Sequence, residues 1–343
     1  MRRLLILALS IPLLAACGGS AGAKKPGTNQ TGKNETVHLV VYSTPQAVME
    51  KLIAQFRKTP TGSGVSFTQS YGSSGSQARA VVAGQPADVA FLSTGLDIDS
   101  IADAGLAPKS WTDQPHGGIA ADSVVAFAVR PGNPKNIHSW ADLVKPGVEV
   151  VTPDPFSSGS AKWNALAANG AQRKLGKSDA AAQAYVKDLF GHVISQDSSG
   201  SNAMSTFLSG RGDVLLTYES EAYAAHEAGS DLDLVIPPQT MLIELPMVAT
   251  NDAPDAAKAF IAYAHTPESQ KVFAENGYRP VDESVLQQPA LATWRQRYSN
   301  EGKTVFPISD PLFGGWTKAN RVWFAPDTGR MTAIEQAVGG PTS

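Results

Sequence analysis

Residues 70–83 read SYGSSGSQARAVVA. Just before and into this stretch Val65, Phe67 and Tyr71 alternate with other residues, the two-residue period of a strand. Just after the Gly/Ser run an Ala/Val-rich helical pattern begins. The segment is therefore a strand–loop–helix joint made of small hydrogen-bond donors. It recurs. Pro153-Asp-Pro-Phe-Ser-Ser-Gly-Ser160 follows a strand pattern and opens a helix containing Trp163 and Leu166. Asp197-Ser-Ser-Gly-Ser-Asn202 does the same before Met204, Phe207 and Leu208.

The first N–H groups of a helix have no partner inside it, and the helix dipole makes that end positive. Serine adds a hydroxyl donor, and glycine lets an anion approach the backbone closely. A single Ser/Gly joint is an ordinary helix cap. Three of them, each at the carboxyl end of a strand, lie where ligands bind in open α/β sheets.

Working outward, strands are expected at 38–43, 65–71, 87–93, 123–130, 148–152, 193–196, 213–218, 232–236 and 242–249. Helical patterns lie between most of them, including 98–106, 140–144, 159–169, 178–190 and 203–209, and continue at 254–264 and 267–275. The alternation predicts an α/β protein with mostly parallel sheets. The body of about 300 residues suits two lobes better than one core. No internal repeat is visible.

The amino terminus is a targeting signal. Arg2 and Arg3 precede an apolar run from Leu4 to Leu14, and Leu14-Ala15-Ala16-Cys17 closes it. The run is short for a permanent membrane span. Cys17 is the only cysteine in the 343 residues, so no internal disulfide, thiolate metal site or cysteine nucleophile is expected. Residues 18–37 are Gly, Ser, Lys, Asn and Thr-rich, a flexible tether.

A formal net charge of −3 with no basic stripe argues against nucleic acid as a partner. Enzyme motifs are missing. Gly72-Ser73-Ser74-Gly75 is followed by Ser76 and is no nucleophile elbow; there is no phosphate loop and no GxGxxG after a strand. The six histidines show no metal-ligand spacing, and Asp97 and Asp99 look like a helix start. No cofactor or metal is expected.

Several long stretches carry a family resemblance: SYGSSGSQARAVVAGQPADVAFLS, VRPGNPKNIHSWADLVKPGVEVVTPDPFSSGSAKWN, TFLSGRGDVLLTYESEA, AENGYRP and FGGWTKA. They resemble the sulfate-binding proteins of bacterial sulfate/thiosulfate ABC importers, and the Leu14–Cys17 segment resembles the lipobox of bacterial lipoproteins. The resemblance implies a type II periplasmic-binding-protein fold, α/β in class, with residues 38–120 and 243–335 in one lobe and 121–242 in the other. It also implies an exported, monomeric receptor, lipid-anchored through Cys17 to the outer face of the cytoplasmic membrane. Sulfate and a membrane-embedded permease would be its partners.

Carried over by position, the family's sulfate contacts fall on Ser74, on Ser158, Gly159 and Ser160, on Gly200 and on Tyr218. The family has glycine at position 160, alanine at 200 and tryptophan at 218. Its Tyr-Asp-Pro becomes Tyr42-Ser43-Thr44-Pro45 here, leaving Ser43 and Thr44 as alternatives. The hydroxyls of Ser74 and Ser158 are expected to donate to the anion. An indole can only donate, whereas a phenol also accepts. Tyr218 thus leaves open thiosulfate, molybdate or phosphate as the ligand. An exported hydrolase is the alternative of another class.

Overall fold

The structure is a computed structural model that describes residues 35–341. Cys17 and the tether up to residue 34 lie outside the described residues. Among the described residues no helix is long and apolar enough to cross a membrane.

The chain begins with three strand–helix units, β1 (Thr36–Tyr42) with α1 (Gln46–Phe56), β2 (Ser66–Gly72) with α2 (Ser74–Val82), and β3 (Val89–Phe91) with α3 (Gly95–Asp103). A long strand, β4 (Ile119–Val129), leads to β5 (Val150–Pro153), α4 (Gly159–Lys174) and α5 (Asp179–Gly191). Next come β6 (Val193–Asp197), α6 (Gly200–Leu208), β7 (Val214–Tyr218), α7 (Glu219–Glu227) and β8 (Asp233–Val235). A second long strand, β9 (Gln239–Ala249), returns to α8 (Asp255–Ala264) and α9 (Pro267–Glu275). The tail holds α10 (Ala292–Arg297), β10 (Thr304–Phe306), α11 (Trp316–Ala319) and α12 (Arg330–Val338).

Strand order is β2-β1-β3-β9-β4-β7-β5-β6, with β8 beside β4 and β10 beside β9. The outer strands are parallel, as expected: β1 with β2 and β3, and β5 with β6 and β7. The centre is not. β9 runs antiparallel to β3 and β4, and β4 antiparallel to β7 and β8. The reason is that the chain passes between the two halves twice, outward along β4 and back along β9.

Those strands change partner midway. Residues 119–124 of β4 pair with 242–246 of β9, whereas 125–129 pair with β7 and 247–249 with β3. Pro246 sits at the switch, where the register between β4 and β9 shifts. A proline inside a strand is tolerated where the ladder is interrupted, because its missing N–H is not needed there. Its carbonyl accepts from Leu92 N–H at 3.1 Å.

Each half buries its own sheet. β1 is apolar on both faces: Val37, Leu39 and Val41 pack toward α1, and Val40 toward α2 and α3. In the other half α4 is buried along all but its last two residues, Arg173 and Lys174. The tail divides its packing. α8 and α9 lie on α1, while α12 lies on α5 and β10 on the start of β9. The stretch 243–335, expected to join residues 38–120, thus reaches both halves. Lys174–Asp310 and Arg330–Asp179 ion pairs, each 2.6 Å, pin the tail to α4 and α5.

Candidate anion-binding site

The carboxyl ends of six strands meet at one place. Five of the joints hold the residues singled out in the sequence: β1–α1 (Ser43, Thr44), β2–α2 (Ser74), β5–α4 (Ser158, Gly159, Ser160), β6–α6 (Gly200) and β7–α7 (Tyr218). The sixth, Ser93 and Thr94 between β3 and α3, was not foreseen.

Close approaches between the halves define the cradle. A side chain on Gly159 would begin 2.4 Å from Ser93 Oγ, so only glycine lets the α4 start meet the β3 end. One on Gly200 would begin 3.2 Å from Thr44 Cγ2. Ser201 N–H donates to Ser43 Oγ at 3.4 Å, and the Trp163 indole N–H donates to the Ser93 carbonyl at 2.7 Å. The Tyr218 and Ser93 hydroxyls share a hydrogen bond of 2.7 Å, in which either can donate.

The helix starts are not all alike. Thr94 and Ser199 cap their own helices, accepting from Asp97 N–H and Asn202 N–H at 3.2 Å. At α2 and α4 the capping positions, Ser73 and Ser158, make no such side-chain bond. These two ends keep donors that the protein itself does not use.

Ser74 differs from expectation in its side chain. Its hydroxyl donates to Asp97 Oδ2 at 2.5 Å and accepts from Ser93 N–H at 2.9 Å. Thr94 Oγ1 donates to the same Asp97 oxygen at 2.9 Å. Asp97, read in the sequence as a helix start, is also the post to which two joints are tied. The Ser74 proton is therefore committed within its own half, and its backbone at the α2 start is the part left to face the cradle.

Three hydroxyls at the site are buried and make no well-formed hydrogen bond among the described residues, Tyr42 Oη, Thr44 Oγ1 and Ser160 Oγ, although Tyr278 lies near the first two and Tyr218 near the third. Leaving a buried polar group unsatisfied costs about 1–3 kcal/mol, so three in one place are a signature of a ligand cradle. The phenols around them hold their protons firmly. Burial pushes Tyr218 and Tyr42 well up, and Tyr278 up to about 12. Glu221 is the exception to a neutral lining. Its Oε2 accepts from Thr217 Oγ1 at 2.5 Å, lies 3.3 Å from where a Gly200 side chain would begin, and burial pushes its pKa up to about 7.

Tyr42, Tyr278, Ser93, Thr94 and Glu221 were missed as site residues. Leu92-Ser93-Thr94-Gly95 ends a strand in the same way as the three recognised joints and was the available signal. Two histidines far apart in sequence do meet: the His116 and His265 rings stack at 5.6 Å. Both ring nitrogens of His265 face backbone carbonyls, of Ile261 and Ile119, at 2.9 and 3.0 Å, so the pair is structural.

Comparison with known proteins identifies the family. The family model described as bacterial extracellular solute-binding protein matches residues 37–279. A sulfate-binding protein of Synechococcus elongatus is 37% identical, covering 95% of this chain and 93% of its own. One from Escherichia coli K12 is 39% identical, over 78% of this chain and 82% of its own. Among solved structures, the sulfate-binding protein of Mycobacterium tuberculosis H37Rv superposes with a TM-score of 0.79 at 39% identity, covering 84% of this chain and 98% of that one. The superposition places the chain in a two-lobed α/β fold. The chain belongs to the sulfate-binding proteins of the bacterial extracellular solute-binding family.

Proposed function

We propose that the protein captures sulfate between its two lobes and delivers it to the permease of an ABC importer, without chemical change. The observation that carries this reading is the pair of uncapped starts of α2 and α4 beside the buried hydroxyls of Tyr42, Thr44 and Ser160, which make no well-formed hydrogen bond among the described residues. Sulfate near neutral pH bears no proton and can only accept, so it suits a lining of donors. In the proposed complex the backbone N–H groups at Ser74, Gly159, Ser160 and Gly200 point to the anion. The hydroxyls of Thr44, Ser158, Ser160 and Tyr218 complete its shell, with Tyr42 added from the structure and Ser43 tied to Ser201.

Residues 38–120 and 121–242 act as the cores of the two lobes and close about β4 and β9. Neutral donors and helix dipoles stabilise a dianion without a fixed countercharge that would slow its release. The hydroxyls at the cradle bond to other hydroxyls and to Asp97, with no imidazole among those partners, which favours a receptor over a hydrolase. Cys17 carries the lipid, the tether runs from residue 18 only to the start of β1 at Thr36, two residues short of the expected end at 37, and the receptor works as a monomer at the outer face of the membrane. Cys17→Ser should then yield a mature chain with no diacylglycerol by mass spectrometry.

The test is calorimetric titration with sulfate, thiosulfate, molybdate and hydrogen phosphate. Sulfate is expected to bind most tightly. Tighter binding of hydrogen phosphate would move the assignment to a receptor in which Tyr218 or Glu221 accepts the ligand's proton, and no binding of any of the four would end the oxyanion reading.

A further inference from the structure

The cradle lies on a longer seam between the two halves. On one side are Ser93, Thr94 and Gly95, which end β3 and open α3. On the other are Gly159 and Trp163, one helical turn apart on α4. Gly159 meets Ser93, and the Trp163 indole N–H donates to the Ser93 carbonyl at 2.7 Å. Farther along the same seam, Gly95 is met by Trp316 of the tail. A side chain on Gly95 would begin 3.1 Å from Trp316 Cδ1 and 3.2 Å from the Trp111 ring.

Trp316 is carried by the half that contains α4. Its ring stands edge-on to Trp163, with centroids 4.6 Å apart. The segment before it is seated along α4 as well: Phe306 and Phe313 lie against Gly170, and Lys174 pairs with Asp310 at 2.6 Å. Gly314 and Gly315, with φ of 68° and 86°, then turn the chain so that α11 begins against α3. Glycine takes that left-handed conformation without strain. Trp111, in contrast, belongs to the other half, where its indole N–H donates to Asp99 of α3 at 2.9 Å. Trp316 is thus held by one half and packs against Gly95 of the other, beside Trp111.

Strands β4 and β9 run through the seam and join the halves whether these are together or apart. The contact of Trp316 with Gly95 exists only while they are together. Parting them returns apolar ring surface to water, which is unfavourable in proportion to its area. A contact made only in the closed form favours that form, and raises by the same factor the apparent affinity of a ligand held between the halves. We propose that Trp316 is a positioning residue for anion binding: it latches the lobes closed over the bound anion and slows its release.

This inference rests on the capture of sulfate between the lobes. The experiment measures sulfate affinity by calorimetry and sulfate dissociation by stopped flow. It compares the full-length native chain, Trp316→Ala, Gly95→Ala and the double variant. Trp316→Ala should weaken binding about tenfold, nearly all of it as faster dissociation, because the latch forms after the anion has entered. Gly95→Ala puts a methyl group into the seam and should also quicken dissociation. Its effect should be smaller once Trp316 is gone, so that the two changes are not additive. Melting curves of the ligand-free proteins check each fold, and Gly95→Ala decides the matter if Trp316→Ala is unstable. Dissociation as slow in the variants as in a sulfate-binding native chain would overturn the latch alone. Absence of sulfate binding by the native chain would sink it together with the proposed function.

Discussion

Tyr218 and Glu219 are consecutive residues that serve two differently built regions. The Tyr218 hydroxyl enters the cradle and shares a hydrogen bond with Ser93. The Glu219 carboxylate, fully buried, receives Arg279 Nε at 2.7 Å behind the hinge strands. The cradle is made of hydroxyls and helix starts, which on the proposed function exchange one partner for another as a dianion enters and leaves. The ion pair behind it joins α7 to the segment after α9, and both side chains are buried, that of Glu219 completely. The contrast teaches that burial of polar groups serves release in one place and fixation in the other.

The largest expected effect comes from breaking the fixed region. Arg279→Met leaves Glu219 buried without its cation, which costs about 3–5 kcal/mol in comparable pairs. Denaturant unfolding should show that loss. A change below about 1 kcal/mol would place the pair among those that add nothing measurable and would collapse the contrast.

Glu221 tests whether the cradle is neutral in practice. Burial raises its pKa from 4.5 to about 7, with the Thr217 hydrogen bond opposing the rise. Between those values the folded protein holds a proton that the unfolded chain releases. The contribution is therefore fully present below about pH 4.5 and is lost as pH rises through 7. The shift corresponds to roughly 3 kcal/mol. Glu221→Gln should flatten the stability profile by about that amount between these pH values, relative to the native chain. Parallel profiles for the two proteins would mean that Glu221 is ionised throughout and that the cradle carries a fixed negative charge.

Within the cradle, Ser160→Ala and Tyr218→Phe each remove a hydroxyl and keep the rest. Losing one hydrogen bond to a charged ligand should cost roughly 1.5–3 kcal/mol, or about 10- to 150-fold in sulfate affinity. Ser160 gives the cleaner reading, because its hydroxyl makes no well-formed hydrogen bond among the described residues, whereas Tyr218 also holds Ser93. Unchanged affinity in both variants would remove these hydroxyls from the ligand shell.

How much of this was legible before the structure depends on range along the chain. The joints at Ser74, Ser158 and Gly200 were readable because strand period, Ser/Gly run and helix period sit side by side in sequence. The β3–α3 joint has the same order but a shorter run, and its helix was expected to begin at 98 when α3 begins at Gly95. Tyr42 was placed only in the first strand and Tyr278 only within the AENGYRP stretch, and nothing local tells that Tyr42 lies beside Tyr218, with ring centroids 6.4 Å apart. The antiparallel centre was hidden for a related reason. Strand β4 was expected only from 123 and β9 from 242, so the stretches in which the two change partners were cut short.

Ser74 gives the smallest expected effect and the finest test, because sequence and structure differ over its side chain. Read from the sequence alone, its hydroxyl is an anion donor equal to any other. In the structure that hydroxyl donates to Asp97 and accepts from Ser93 N–H, so the anion is left with the backbone at the α2 start. Ser74→Ala keeps the backbone and removes only the tie. Sulfate affinity should then fall by less than 1 kcal/mol, about fivefold at most, well below the loss in Ser160→Ala. Folding stability should fall instead, by about 1–3 kcal/mol, because the buried Ser93 N–H loses its acceptor. Titration and denaturation of the one variant separate the two roles. A loss of affinity as large as that of Ser160→Ala, with stability unchanged, would show that the hydroxyl leaves Asp97 for the ligand when the cleft closes.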